Sequence, residues 1–106
     1  MQTDIQKIKD ELISTDKLDD ITTFFKTMGD NTRLYILMAL NHHELCVSDL
    51  TYILGLSQSA ISHALGSLRA QKLVKTRREG KTIYYSLDDD HVTTILDMAL
   101  THIDER

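Results

Sequence analysis

The chain has 106 residues, of which 42% are hydrophobic and 26% charged, with a net charge of −4. This size suits one domain around one core, and the composition is too apolar for a disordered segment. The sequence contains no apolar run near the roughly 20 residues that cross a bilayer, and Met1-Gln2-Thr3-Asp4 lacks the basic, then apolar, pattern of a signal peptide, so a cytoplasmic protein without a membrane partner is expected. The single cysteine, Cys46, excludes an internal disulfide framework and an all-thiolate metal centre within one subunit. A metal would have to be held mainly by histidine and carboxylate.

In chain order, Ile5, Ile8 and Leu12, then Ile21, Phe24, Phe25 and Met28, recur at helical spacing and predict two amphipathic helices. Gly29 closes the second and Asp30 caps a third over 31–41, which carries Leu34, Leu37, Met38 and Leu40. Asn41-His42-His43-Glu44 reads as a polar break, with His42 and His43 in a solvated loop, and Cys46 as a small buried hydrophobe. A short helix, capped by Ser48 or a neighbour, turns Leu50 and Leu54 inward. Gly55-Leu56-Ser57 then supplies a tight turn, and Ser57 caps a helix over 58–71. Residues 73–78 and 81–87, rich in β-branched and aromatic types and separated by Glu79-Gly80, predict a two-stranded hairpin. Asp88-Asp89-Asp90 opens a last helix with the apolar stripe Val92, Ile95, Leu96, Ala99 and Ile103. The expected fold is mainly α with a two-stranded β-hairpin: a winged helix-turn-helix domain over 1–106, homodimeric through its N-terminal and C-terminal helices.

On the 58–71 helix, Ile61, Leu65 and Leu68 share one face, while Ser59, Ser62, His63, Gly66 and Ala70 leave the other small and polar. Such a helix can enter a major groove about 12 Å wide, where bulky residues would hold it out. Gln58 is the best candidate for reading adenine, and Ser59, Ser62 and His63 for base edges or phosphates. His63 also reads as a plain surface histidine. The window 69–81 holds six basic residues against Glu79 alone, a local balance of +5 that leaves −9 for the rest of the chain. Affinity for DNA follows the local field at the phosphates, so Lys75, Arg77, Arg78 and Lys81 are expected to hold the flanking backbone. A merely solvated charged hairpin has the same composition.

His91 and His102 stand eleven residues apart, about 20° from superposition on a helical wheel but about 16 Å along the axis. Zinc–nitrogen bonds of about 2.0–2.1 Å cannot be made by both to one ion. Two antiparallel copies of the helix could place Asp89 and His91 against His102 and Glu105 of the second copy, giving two identical sites. In a competing reading Asp89 is only a cap, the histidines flank an interface and Glu105 is solvated.

These residues resemble the ArsR/SmtB family of metal-responsive repressors, through Gly29-Asp30-Asn31-Thr32-Arg33, Glu44-Leu45-Cys46-Val47-Ser48-Asp49-Leu50, Leu56-Ser57-Gln58-Ser59-Ala60-Ile61-Ser62-His63 and Tyr84-Tyr85-Ser86-Leu87. The terminal pattern of Asp89, His91, His102 and Glu105 is similar to the interfacial zinc site of the family's zinc sensors. The resemblance implies a repressor that binds operator DNA as a metal-free dimer and releases it on binding Zn(II), with Co(II) able to substitute, derepressing metal efflux or sequestration genes. It also implies a coupling route in which the ring nitrogen of His102 left free by the metal donates to a carbonyl near Lys72. The family's thiolate site is reduced here to Cys46, with Asp49 beside it, which argues against sensing of cadmium, lead or arsenite. The alternative is a winged-helix regulator answering another signal or none. No small organic substrate is implied, and an enzyme is not expected, because four protein ligands between two helices leave neither an open coordination position nor a cleft.

Overall fold

The computed structural model describes residues 3–106; Met1 and Gln2, part of the N-terminal stretch read above, lie outside the described residues. Six helices and three strands follow one another: α1 (Ile5–Glu11), α2 (Thr15–Met28), α3 (Asn31–Leu40), β1 (Leu45–Cys46), α4 (Val47–Leu54), α5 (Gln58–Ala70), β2 (Val74–Glu79), β3 (Thr82–Leu87) and α6 (Asp90–Asp104). The apolar positions of α5, now Ile61, Ala64, Leu65 and Leu68, are all buried. They pack with Ile36, Leu37 and Leu40 of α3, Leu50 of α4, Leu73 and Val74 at the start of the hairpin, and Val92 and Leu96 of α6 in one hydrophobic cluster. Each fully buried Leu or Ile contributes about 1.5–3 kcal/mol of transfer free energy.

Five of the helices begin on a capping side chain. Asp4, Ser14, Asp30, Ser57 and Asp89 accept from the amides of Lys7, Lys17, Arg33, Ala60 and His91. The start of α4 differs from expectation. It begins at Val47, one residue before Ser48, with Cys46 at the cap and the Asp49 carboxylate reaching back to the Cys46 amide at 3.1 Å. The reason is a strand that periodicity did not disclose: Leu45 and Cys46 pair antiparallel with Tyr85 and Tyr84. That pairing holds them extended up to the first helical residue. The wing is therefore a three-stranded sheet in the order β1-β3-β2, its hairpin closed by Gly80-Lys81 with Gly80 at φ 62°. Two residues are too few to span a sheet alone, and their signal is lost between a polar loop and a helix.

The N-terminal helices do not join the core along their length. Every residue from Thr3 to Thr23 is exposed. The radius of gyration is 17.3 Å and the longest dimension 59 Å, against about 13 Å for the radius of a compact chain of ~100 residues. Ile5, Ile8, Leu12, Ile21 and Phe25 remain in solvent, as do Met98, Leu100 and Ile103 on the far half of α6. Among the described residues no helix is long and apolar enough to cross a membrane.

Replacing Leu68, fully buried at the centre of the α5 row, by alanine is expected to cost about 2–5 kcal/mol through lost transfer energy and a residual cavity. Urea unfolding of the two proteins measures the difference, and a loss under 1 kcal/mol would place Leu68 outside the principal core.

Candidate nucleic-acid interface and metal-ligating residues

The turn between α4 and α5 depends on Gly55, which closes α4 in the left-handed region at φ 67° while its amide bonds Thr51 O at 2.9 Å. A side chain there would be strained whatever space surrounds it. Leu56 packs against the core and Ser57 turns its hydroxyl onto the Ala60 amide at 3.1 Å, which starts α5. With its apolar row buried, α5 exposes Gln58, Ser59, Ser62, His63, Gly66 and Arg69. The small polar face is thereby turned outward along nearly the whole helix.

Lys75, Arg77, Arg78 and Lys81 are all exposed on the hairpin. Arg77, however, is occupied within the chain. Its Nη2 lies 2.7 Å from Glu44, its Nη1 2.7 Å from Glu79, and its guanidinium stacks over Tyr84 at 4.9 Å. It ties the loop before β1 to both strands of the hairpin. Arg78 Nε donates to Gly80 O at 3.2 Å, while Lys75 and Lys81 make no ion pair among the described residues. Composition counted Arg77 with the other cations, because the partner 33 residues earlier is brought close only by the β1–β3 pairing.

The end of α5 has a feature without a signal of its own in the sequence. Lys72 sits at φ 56°, where glycine is the usual occupant. Its amide bonds Arg69 O at 3.0 Å and the Leu73 amide bonds Leu68 O at 2.9 Å, the paired bonds of a Schellman cap. The backbone at Lys72 is therefore held in a defined, strained conformation at the end of α5.

On α6, Asp89 is the cap: one carboxylate oxygen accepts from the amides of His91 and Val92 at 2.9 and 3.3 Å, and the other lies 3.2 Å from His91 Nδ1. Partial burial pushes the Asp89 carboxyl upward, but the His91 ring and the two amides outweigh it, so its pKa lies below the ordinary aspartate value. His102 stands in the last turn and Glu105 at the C-cap, both exposed. Fifteen helical residues put about 21 Å between the two ends. Among the described residues no group of three or more His, Cys, Asp or Glu side chains gathers to hold a metal; the structure brings Asp89 to His91 and leaves His102 and Glu105 at the opposite end. Cys46 is half-buried.

The polar break leaves His42 and His43 exposed, and its first two residues make long-range contacts. Asn41 is buried, and its Nδ2 donates to Asp97 at 2.9 Å across 56 residues of sequence, while His42, exposed and at φ 69°, lies 3.6 Å from the same carboxylate. These contacts tie the end of α3 to the middle of α6. Neither residue belongs to a motif or an apolar period, so only proximity reveals them.

The Glu44–Arg77 pair has a consequence for pH. Arg77 hydrogen bonds, then its charge, hold the Glu44 carboxyl below the ordinary value of 4.5. A depressed folded-state pKa adds stability above the unfolded value that is lost as pH falls through the folded one. The melting-temperature difference between the parent and Glu44→Gln is therefore expected to be largest near neutrality, to vanish in acid below the glutamate range, and to shrink in high salt. A difference unchanged across that range would show that the pair adds nothing.

Residues 30–76 match the family model described as bacterial regulatory protein, arsR family. The chain is 40% identical over 101 residues to a transcriptional repressor SmtB homolog of Synechocystis sp., covering 95% of this chain and 76% of that one. It is 36% identical over 99 residues to a cadmium resistance transcriptional regulatory protein CadC homolog of Staphylococcus aureus, covering 92% and 81%. The structure superposes with a TM-score of 0.79 and 28% identity on the homodimeric winged helix-turn-helix DNA-binding domain of a possible ArsR-family transcriptional regulator from Mycobacterium bovis, over 90% of this chain and 91% of that chain. With a helix-turn-helix, a hairpin wing and a small polar face on α5, the chain belongs to the arsR family of bacterial regulatory proteins and is a DNA-binding transcriptional regulator rather than an enzyme.

Proposed function

We propose that the chain is a zinc-responsive repressor that binds operator DNA as a metal-free homodimer and lets go when Zn(II) binds between its α6 helices. The observation that carries this reading is the layout of α6, with two candidate ligands at each end and uncovered apolar side chains along its outer half. Antiparallel pairing of two copies would cover Met98, Leu100 and Ile103 and bring the unlike ends together twice by symmetry. The exposed stripes of α1 and α2 offer further area for the same dimer.

The residues present suit the ion. Tetrahedral zinc with bonds of about 2.0–2.1 Å has ligand atoms about 3.3 Å apart, and Asp89 Oδ2 already lies 3.2 Å from His91 Nδ1. Asp89 and His91 of one copy with His102 and Glu105 of the other would complete four nitrogen and oxygen ligands; Co(II), with similar preferences, would be accepted. The bound ion supplies charge and a fixed geometry at the interface. In DNA binding, Gln58, Ser59, Ser62 and His63 face the groove while Lys75, Arg78 and Lys81 face phosphates, with Arg77 holding the wing in shape. His102, once its tautomer is set, would offer its other N–H to the carbonyl near Lys72, where the strained cap ends α5. A small rotation of the subunits then spoils the fit to major grooves about 34–36 Å apart.

A second reading has one observation of its own: Asp89 is already engaged as the helix cap and as the partner of His91. In that reading α6 is a dimer helix and the regulator answers another signal or none.

Titrating the dimer with Zn(II) while following operator affinity at fixed salt is expected to show at least a tenfold weakening, about 1.4 kcal/mol of coupling. His91→Ala should abolish tight zinc binding, and His102→Asn should leave zinc with little effect on DNA. Calorimetry that finds no tight site in the dimer would favour the second reading, and a His102→Asn protein released by zinc as fully as the parent would remove His102 from the route.

A further inference from the structure

The first helix of the helix-turn-helix carries a side chain that folding does not explain. Tyr52 is 91% exposed, whereas Leu50, two residues earlier on α4, is fully buried. Ser48 stands one turn before Tyr52 on the same exposed face. With Val47, Thr51 and Gln58 these two line a cleft of about 420 Å³ between the beginnings of α4 and α5. Thr51 turns its hydroxyl onto Val47 O at 2.9 Å, and Asp49 is folded back on the Cys46 amide at 3.1 Å. The exposed donors left at the cleft are the hydroxyls of Ser48 and Tyr52 and the amide of Gln58. Ile53, the other exposed apolar residue of α4, borders one hollow with Met38, Ala39, His43 and Leu45 and shares a second with Leu45, Ser48, Asp49 and Tyr52.

Phosphate oxygens only accept hydrogen bonds, and the first helix of a helix-turn-helix crosses the DNA backbone while the second enters the groove. A donor rim continuous with Gln58, the first residue of the groove-facing helix, fits that backbone. We propose that Ser48 and Tyr52 form a neutral phosphate clamp, their hydroxyls donating to the sugar-phosphate backbone beside the bases approached by Gln58. The clamp rests on the reading of α5 as the groove helix. Because neither residue is charged, it adds affinity and register without releasing counterions. That separates it from the wing lysines.

The test measures binding of the metal-free protein to two fluorescent duplexes, an operator that the parent selects from genomic DNA and an unrelated mixed sequence, over a range of salt. Tyr52→Phe and Ser48→Ala are expected to weaken both duplexes by about five- to tenfold, with the parent's melting temperature and salt slope retained. Lys81→Ala should lower the slope by about one. Affinities within twofold of the parent for both variants would overturn the clamp. So would a loss confined to the selected operator, since that marks base reading instead of a phosphate contact. A parent that selects no operator from genomic DNA and does not bind the mixed sequence would bring down the reading of α5 itself, and the clamp with it.

Discussion

The inward row of α5, Ile61, Ala64, Leu65 and Leu68, is the contact on which the rest of the molecule is arranged. It meets α2, α3, α4 and β2 at once, so the orientation of α5 is set by the core rather than by anything on its surface. Once that row is inside, the helix turns Gln58, Ser59, Ser62, His63, Gly66 and Arg69 to solvent. The proposed recognition face and the buried row are two sides of one helix, separated only by the 3.6-residue period. The wing follows from the same seam, because Leu73 and Val74 continue the buried surface directly into β2.

The opposite end of the molecule is governed by a shortage of core. α6 buries Val92 and Leu96 and then runs past the interior, leaving Met98, Leu100 and Ile103 in water. α1 and the first half of α2 bury nothing at all. Apolar stripes that a chain cannot cover itself mark interaction surfaces, and one of them lies on α6, the helix that carries the candidate ligands. In the proposed sensor, the surface that makes the dimer and the surface that reads the metal are therefore one surface. The Asn41–Asp97 hydrogen bond fixes the middle of α6 to the end of α3, so a shift of α6 would be felt in the helix that supports α5.

Electrostatics divides the basic residues into two groups that composition lumps together. Arg77 is consumed by Glu44 and Glu79 and by stacking on Tyr84, and stiffens the wing. Lys75, Arg78 and Lys81 keep their charged ends outward, where a field can act on phosphates despite a net charge of −4 for the chain. The strained backbone at Lys72 lies between these cations and α5.

Periodicity and turn chemistry by themselves determined the six helices of the described residues, the tight turn at Gly55, the hairpin and the outward face of α5, because each rests on residues close in sequence. They also determined that His91 and His102 cannot meet on one straight helix, since the rise per residue is invariant. What only the tertiary structure decided was long-range pairing. The β1 strand exists because Leu45 and Cys46 find Tyr85 and Tyr84, the α4 start moves with it, Arg77 meets Glu44, and Asn41 meets Asp97. None of these is a local preference; each is a contact between residues more than thirty positions apart, and no pattern within a helix turn or a strand repeat encodes which distant partner a side chain will meet.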